Sequence, residues 1–106
     1  MASHQGSWTF LSNHAHVLIC LASDPDSRLR DVSERVGITE RAVQAIVTDL
    51  EESGAITRVR EGRRNHYELH EVPLRHSLEA HCTTKQLVSM AGLKLGKQNG
   101  SVRKRA

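Results

Sequence analysis

Residues 34–44 read ERVGITERAVQ, and the glycine near their centre decides the fold. On its N-terminal side, LRDVSERV places Leu29, Val32 and Val36 at spacings of three and four, the stripe of an amphipathic helix. On its C-terminal side, Val43, Ile46, Val47 and Leu50 repeat that spacing. Gly37 between them reaches positive φ without steric cost and stops the first helix as a left-handed residue past a C-terminus. Thr39 then caps the next helix, with Glu40 in its first turn, where the helix dipole favours negative charge. Two helices joined by so short a turn must cross steeply, which buries Val32 and Val36 against Ile38, Val43 and Ile46.

Working outward, Ser12 or Asn13 can cap an earlier helix carrying Leu18, Ile19, Leu21 and Ala22. That helix should end near Ser23, because Pro25 disfavours a helical Asp24. Ser27 or Asp26 is the expected cap of the helix that begins at Leu29. After Gly54, AITRVR and HYELH are β-rich runs on either side of EGRRN, which reads as a hairpin with Arg63 and Arg64 at its tip. Tyr67 and Leu69 share its inward face. Pro73 opens a loop, and Thr83 with Gln86 matches a capping box. Leu87, Val88, Ala91 and Leu95 then predict a last helix running to residue 95. The fold class is therefore mainly α with a small antiparallel β-hairpin. Residues 1–7 read as a flexible N-terminus, 8–72 as the central domain, 73–95 as a loop and helix for dimerisation, and 96–106 as a basic disordered tail.

The chain has 106 residues with 15 Lys and Arg against 12 Asp and Glu, a net charge of +3 that permits an acidic partner without requiring one. Trp8, Phe10 and Tyr67 are its only aromatic residues, too few for a surface that stacks single-stranded bases. Cys20 and Cys82 do not make a disulfide framework. VLICLA is too short to cross a bilayer, and no signal peptide is apparent, so a reduced, cytoplasmic chain with no membrane partner is expected. No Gly-rich phosphate loop, HExxH or nucleophile elbow occurs, so neither catalysis nor a cofactor is expected. Among seven histidines, His14 and His16 diverge on a helix. His66 and His70 share a strand face about 13 Å apart. His76, His81 and Cys82 fall in a loop, where they could meet a second chain's residues around zinc.

Chemistry concentrates on the helix after the glycine. Thr39, Glu40, Arg41, Gln44, Ala45 and Thr48 lie off its apolar stripe. Arg41 can reach guanine O6 and N7, and Gln44 can pair with adenine N6 and N7. Thr39, Thr48 and the free N–H groups of the first turn suit phosphate oxygens. Ala45 lets the helix sink in against a thymine methyl. Arg58, Arg60, Arg63 and Arg64 cluster in the hairpin, and arginine at a protruding tip suits a narrow, electronegative minor groove.

LRDVSERVGITERAVQAIVTDLEESGAITRV followed by REGRRNHYEL resembles the winged helix-turn-helix transcriptional regulators of the MarR and ArsR kind, particularly small bacterial ones. The resemblance runs from Trp8 to Leu95. It implies a homodimer on a pseudo-palindromic operator in double-stranded DNA, acting as a repressor. The third helix would enter the major groove through Thr39, Glu40, Arg41, Gln44, Ala45 and Thr48. The hairpin, or wing, would reach the flank through Arg58, Arg60, Arg63, Arg64 and His66. Two features depart from the pattern: the chain leaves little room for the ligand cleft of longer MarR proteins, and RDVSERV lacks the cysteines of ArsR metal sensors. A winged helix serving as a protein-interaction module, or a metal-responsive regulator using His and Cys, is the alternative reading.

Overall fold

The computed structural model describes residues 7–95. The basic tail, and all but the last residue of the expected flexible N-terminus, lie outside the described residues. The elements run α1 (Asn13–Ser23), α2 (Leu29–Val36), α3 (Glu40–Glu52), β1 (Ile56–Glu61), β2 (Arg64–Leu69) and α4 (Thr84–Met90). Four helices and one antiparallel hairpin make the winged-helix arrangement read from the sequence.

Local chemistry explains most boundaries. The Ala15 N–H donates to the Ser12 hydroxyl at 3.2 Å and starts α1. Gly37 adopts φ 87°, and its N–H donates to the Ser33 carbonyl at 2.8 Å. The Ala42 N–H donates to the Thr39 hydroxyl at 3.0 Å and starts α3. Between these two caps the chain has only Ile38 to turn through, which sets the steep crossing of α2 and α3.

Three boundaries differ from expectation. Neither Ser27 nor Asp26 caps α2; Arg28 holds that position and makes no side-chain cap bond. The Ser27 hydroxyl instead donates to the Asp24 carbonyl at 2.8 Å, and the Asp26 carboxylate bonds His66 at 2.8 Å. A distant partner has won over a local cap. The last helix stops at Met90 rather than running to Leu95. Gly92 takes φ 82° and lets the Leu93 N–H donate to the Val88 carbonyl at 3.0 Å, which satisfies the helix end early. The hairpin register pairs Ile56 with Leu69 and Glu61 with Arg64, so only Gly62 and Arg63 form the turn and Arg64 belongs to β2.

Every element contributes to one core. Val17 and Leu21 of α1, Val32 of α2, Val43 and Val47 of α3, Tyr67 and Leu69 of β2 and Val88 of α4 are essentially inaccessible to solvent. Burying a side chain of this size stabilises by about 1.5–3 kcal/mol. Val36 and Ile38 flank this cluster half-buried. Val88 and Leu95 belong to the same cluster, so residues 73–95 pack onto the helical body of the same chain. Thr84 ties that segment down: its hydroxyl donates to the His70 carbonyl at 2.7 Å and accepts from the Val72 N–H at 3.1 Å. Among the described residues no helix is long and apolar enough to cross a membrane.

Candidate nucleic-acid interface

The core holds one side of α3 and thereby decides the other. With Val43, Ile46, Val47 and Leu50 buried, Thr39, Glu40, Arg41, Gln44, Ala45 and Thr48 are all exposed. Arg41, Gln44, Ala45 and Thr48 follow spacings of three, one and three, so they form one edge about two turns long. Three of the four acidic residues of α3 have partners, Glu52 at its end being the exception among the described residues. Glu40 faces Arg30 at 3.9 Å, Asp49 bonds His14 at 2.8 Å and Glu51 bonds Arg58 at 2.7 Å. Arg41 makes no hydrogen bond or ion pair among the described residues, which leaves its guanidinium available. The Thr48 hydroxyl donates to the Gln44 carbonyl at 3.1 Å, so it presents an acceptor rather than the phosphate donor read from the sequence. The Thr39 oxygen accepts the cap bond, and its proton remains free to donate.

The wing residues divide. Arg58 grips Glu51 through two bonds of 2.7 and 3.2 Å, fastening β1 to α3. That bond strengthens its hold on the proton against the opposing effect of burial. Arg64 donates from Nη2 to the Asp26 carbonyl at 2.7 Å. His66 Nδ1 meets the Asp26 carboxylate at 2.8 Å. This bond raises the His66 pKa; burial opposes it, and the negative charges of Asp26, Glu61 and Glu68 reinforce it. Arg60 donates to the Gly62 carbonyl at 2.8 Å and stays exposed. Arg63 is exposed in the turn, with no hydrogen bond among the described residues. Of the five wing residues named from the sequence, Arg58, Arg64 and His66 are thus engaged within the fold, and Arg60 and Arg63 face outward.

Asp26 was missed by sequence reasoning. It orients the base of the wing through Arg64 and His66, while the Tyr67 N–H donates to the neighbouring Pro25 carbonyl at 2.9 Å. These pairs are some forty residues apart in sequence, and no local signal links them. Among the described residues, Asp26, Glu61 and His66 form the one group of three whose ligand atoms lie within 4.8 Å of one another. The loop residues His76, His81 and Cys82 do not form such a group. Between α1, the end of α3 and the 72–82 loop lies an open cavity of about 880 Å³, lined in part by Phe10, Leu18, Leu74, Leu78 and Leu87. That is more room than the chain length suggested.

Residues 13–57, from the start of α1 into β1, match the family model described as winged helix-turn-helix DNA-binding. The transcriptional regulator PcaV from Streptomyces coelicolor is 32% identical, over 57% of this chain and 45% of that one, with a TM-score of 0.50. The fold is that of a winged helix-turn-helix protein. Two further solved proteins share the winged helix-turn-helix fold at lower identity. MepR, a transcription regulator of a Staphylococcus aureus multidrug efflux pump, is 18% identical over 74% of this chain and 52% of that one, with a TM-score of 0.52. A MarR family protein of Mycobacterium tuberculosis, solved with salicylic acid, is 20% identical over 77% of this chain and 56% of that one, with a TM-score of 0.52. The winged helix-turn-helix chain spans about half the length of these solved proteins. No curated protein matches it.

Proposed function

We propose that this chain is a sequence-specific regulator of transcription that binds double-stranded DNA as a homodimer and represses by occupying its operator. One observation carries the reading: α3 buries one face completely and exposes Arg41, Gln44, Ala45 and Thr48 along the other. Arg41 and Gln44 are the base readers, entering the major groove with the N-terminal half of the helix. Arg60 and Arg63 contact the flanking minor groove or backbone. Arg58 and His66 act on DNA only through the posture they give the wing, and Arg64 is anchored at the wing's base by the Asp26 carbonyl. The relatives' regulatory role supports this assignment, and so does the pairing of Glu40, Asp49 and Glu51 with basic side chains.

Dimerisation is proposed from the apolar surface left over. Phe10 is 93% exposed and Leu78 80%, Trp8 and Met90 are also exposed, and the Trp8 and Phe10 rings meet edge to face at 4.9 Å. A second copy of the chain would cover them. Selection of bound sites from random duplex DNA tests both claims. The expected result is a motif of two related half-sites about 34 Å apart. Failure to enrich any sequence would overturn the regulator and favour a protein-interaction module. A single half-site, with one chain's mass by light scattering at micromolar concentration, would remove the dimer.

A further inference from the structure

A small recess of about 220 Å³ lies between the start of α2 and the wing. Its walls include Arg28, from the turn before α2, and Arg63, Arg64 and Asn65, from the hairpin turn and β2. No carboxylate is among the residues that line it. Asp26, next to the lining residue Ser27, directs its carboxylate to His66. Its backbone carbonyl receives Nη2 of Arg64 and so fixes that guanidinium at the recess. Arg28 and Arg63 make no hydrogen bond or ion pair among the described residues. Three arginines therefore line one concavity with no carboxylate in its walls, Glu61, the cross-strand partner of Arg64, being grouped instead with Asp26 and His66. Like charges gathered there repel, and an entering anion relieves that repulsion.

From this we infer that Arg28, Arg63 and Arg64, with Asn65, form a seat for a single phosphate group, and that its occupant is one phosphodiester of the bound duplex. The inference rests on the DNA-binding reading above and adds to it a contact shared by the helical body and the wing. Guanidinium groups suit phosphate because their forked N–H donors match its oxygens and because they remain charged. Arg64 is held in place by the fold, and Arg28 and Arg63 converge from separate segments. One phosphate held from both sides would set the distance between wing and α2, and with it the register of α3 in the adjacent groove. Arg28 and Asn65 have no local sequence signal for this role, since Arg28 stands where a helix cap was expected.

The test is the salt dependence of duplex binding for the full chain, measured by fluorescence anisotropy for the wild type, Arg28→Gln, Arg63→Gln and the double variant. Each lost phosphate contact lowers the log–log slope by about 0.9. Because one phosphate is shared, the double variant is expected to lose about 0.9 in total, no more than a single contact, and Arg28→Lys is expected to restore the slope. Two outcomes overturn the seat while leaving the regulator intact. In one, the slope is unchanged in all variants. In the other, the double variant loses about 1.8, which would mean two separate phosphates. A second arm separates DNA phosphate from free phosphate. Inorganic phosphate is added at constant ionic strength and the melting temperature is read. A rise in the wild type that Arg28→Gln abolishes, with duplex binding unchanged in that variant, would assign the seat to a free anion and overturn its DNA role. If the wild type binds no duplex, the regulator reading fails. The phosphate-dependent melting shift then decides the seat by itself: its loss in Arg28→Gln keeps a phosphate site, and no shift in the wild type removes it.

Discussion

Gln44 and His66 are both candidate DNA contacts by sequence, and their surroundings separate them. Gln44 stands exposed on α3 beside Arg41, and its amide can pair with one adenine edge. Gln44→Ala is expected to relax preference at one base pair and to cost about 1–3 kcal/mol of discrimination. A binding-site profile identical to the wild type's would remove Gln44 from the readout. His66 belongs to the wing base. Its bond to Asp26 favours the imidazolium, burial opposes it, and Asp26, Glu61 and Glu68 add negative charge around it. Its folded pKa lies above the usual value of about 6.5. The stabilisation is therefore fully present below about pH 6.5 and is lost as pH rises through the raised folded value. NMR titration of the His66 ring is expected to give a midpoint above 6.5, returning toward it in Asp26→Asn. An unshifted midpoint in the wild type would mean the bond does not persist in solution.

At the scale of elements, the turn and the wing root make different demands. Gly37 has φ 87° and nothing within 4 Å of the place a Cβ would occupy, so any penalty at this site comes from the backbone alone. Gly37→Ala should cost about 1–2 kcal/mol in urea unfolding, and a neutral result would mean the turn tolerates another conformation. Arg58 shows how an arginine cluster can mislead. It fastens β1 to α3 through Glu51, and its side chain is only 28% exposed. Arg58→Ala is expected to lower stability by about 1 kcal/mol and to leave the salt slope of DNA binding unchanged. A slope reduced as by a lost phosphate contact would return Arg58 to the interface. Most element boundaries were legible because their signals are local: Ser12, Thr39 and Thr83 each cap the helix that follows. The end of α4 was misjudged because Leu95 continues the helical spacing of apolar residues. It reaches the core from beyond the Gly92 turn instead.

For the molecule as a whole, the C-terminal segment belongs to the same packed core as the helix-turn-helix. Val88 of α4 is completely buried in the same core cluster as residues of α1 and α3, and α4 packs on α1. Val88→Ala is expected to destabilise the entire domain by roughly 2 kcal/mol, the transfer of two methyl groups plus a cavity term. Thermal unfolding of this variant should remain a single transition at lower temperature; a separate early transition would show that α4 unfolds independently. The amino-acid sequence by itself determined the element order, the glycine turn and the polar edge of α3, because periodicity, caps and positive-φ residues act over a few positions. Only the tertiary structure decided which arginines are free. That outcome depends on partners such as Asp26 for Arg64, 38 positions apart in sequence and brought together by the burial of Tyr67 and Leu69 against the helices. Hydrophobic packing is non-directional and fixes these long-range pairs only when the whole core closes, so no short stretch of sequence encodes them.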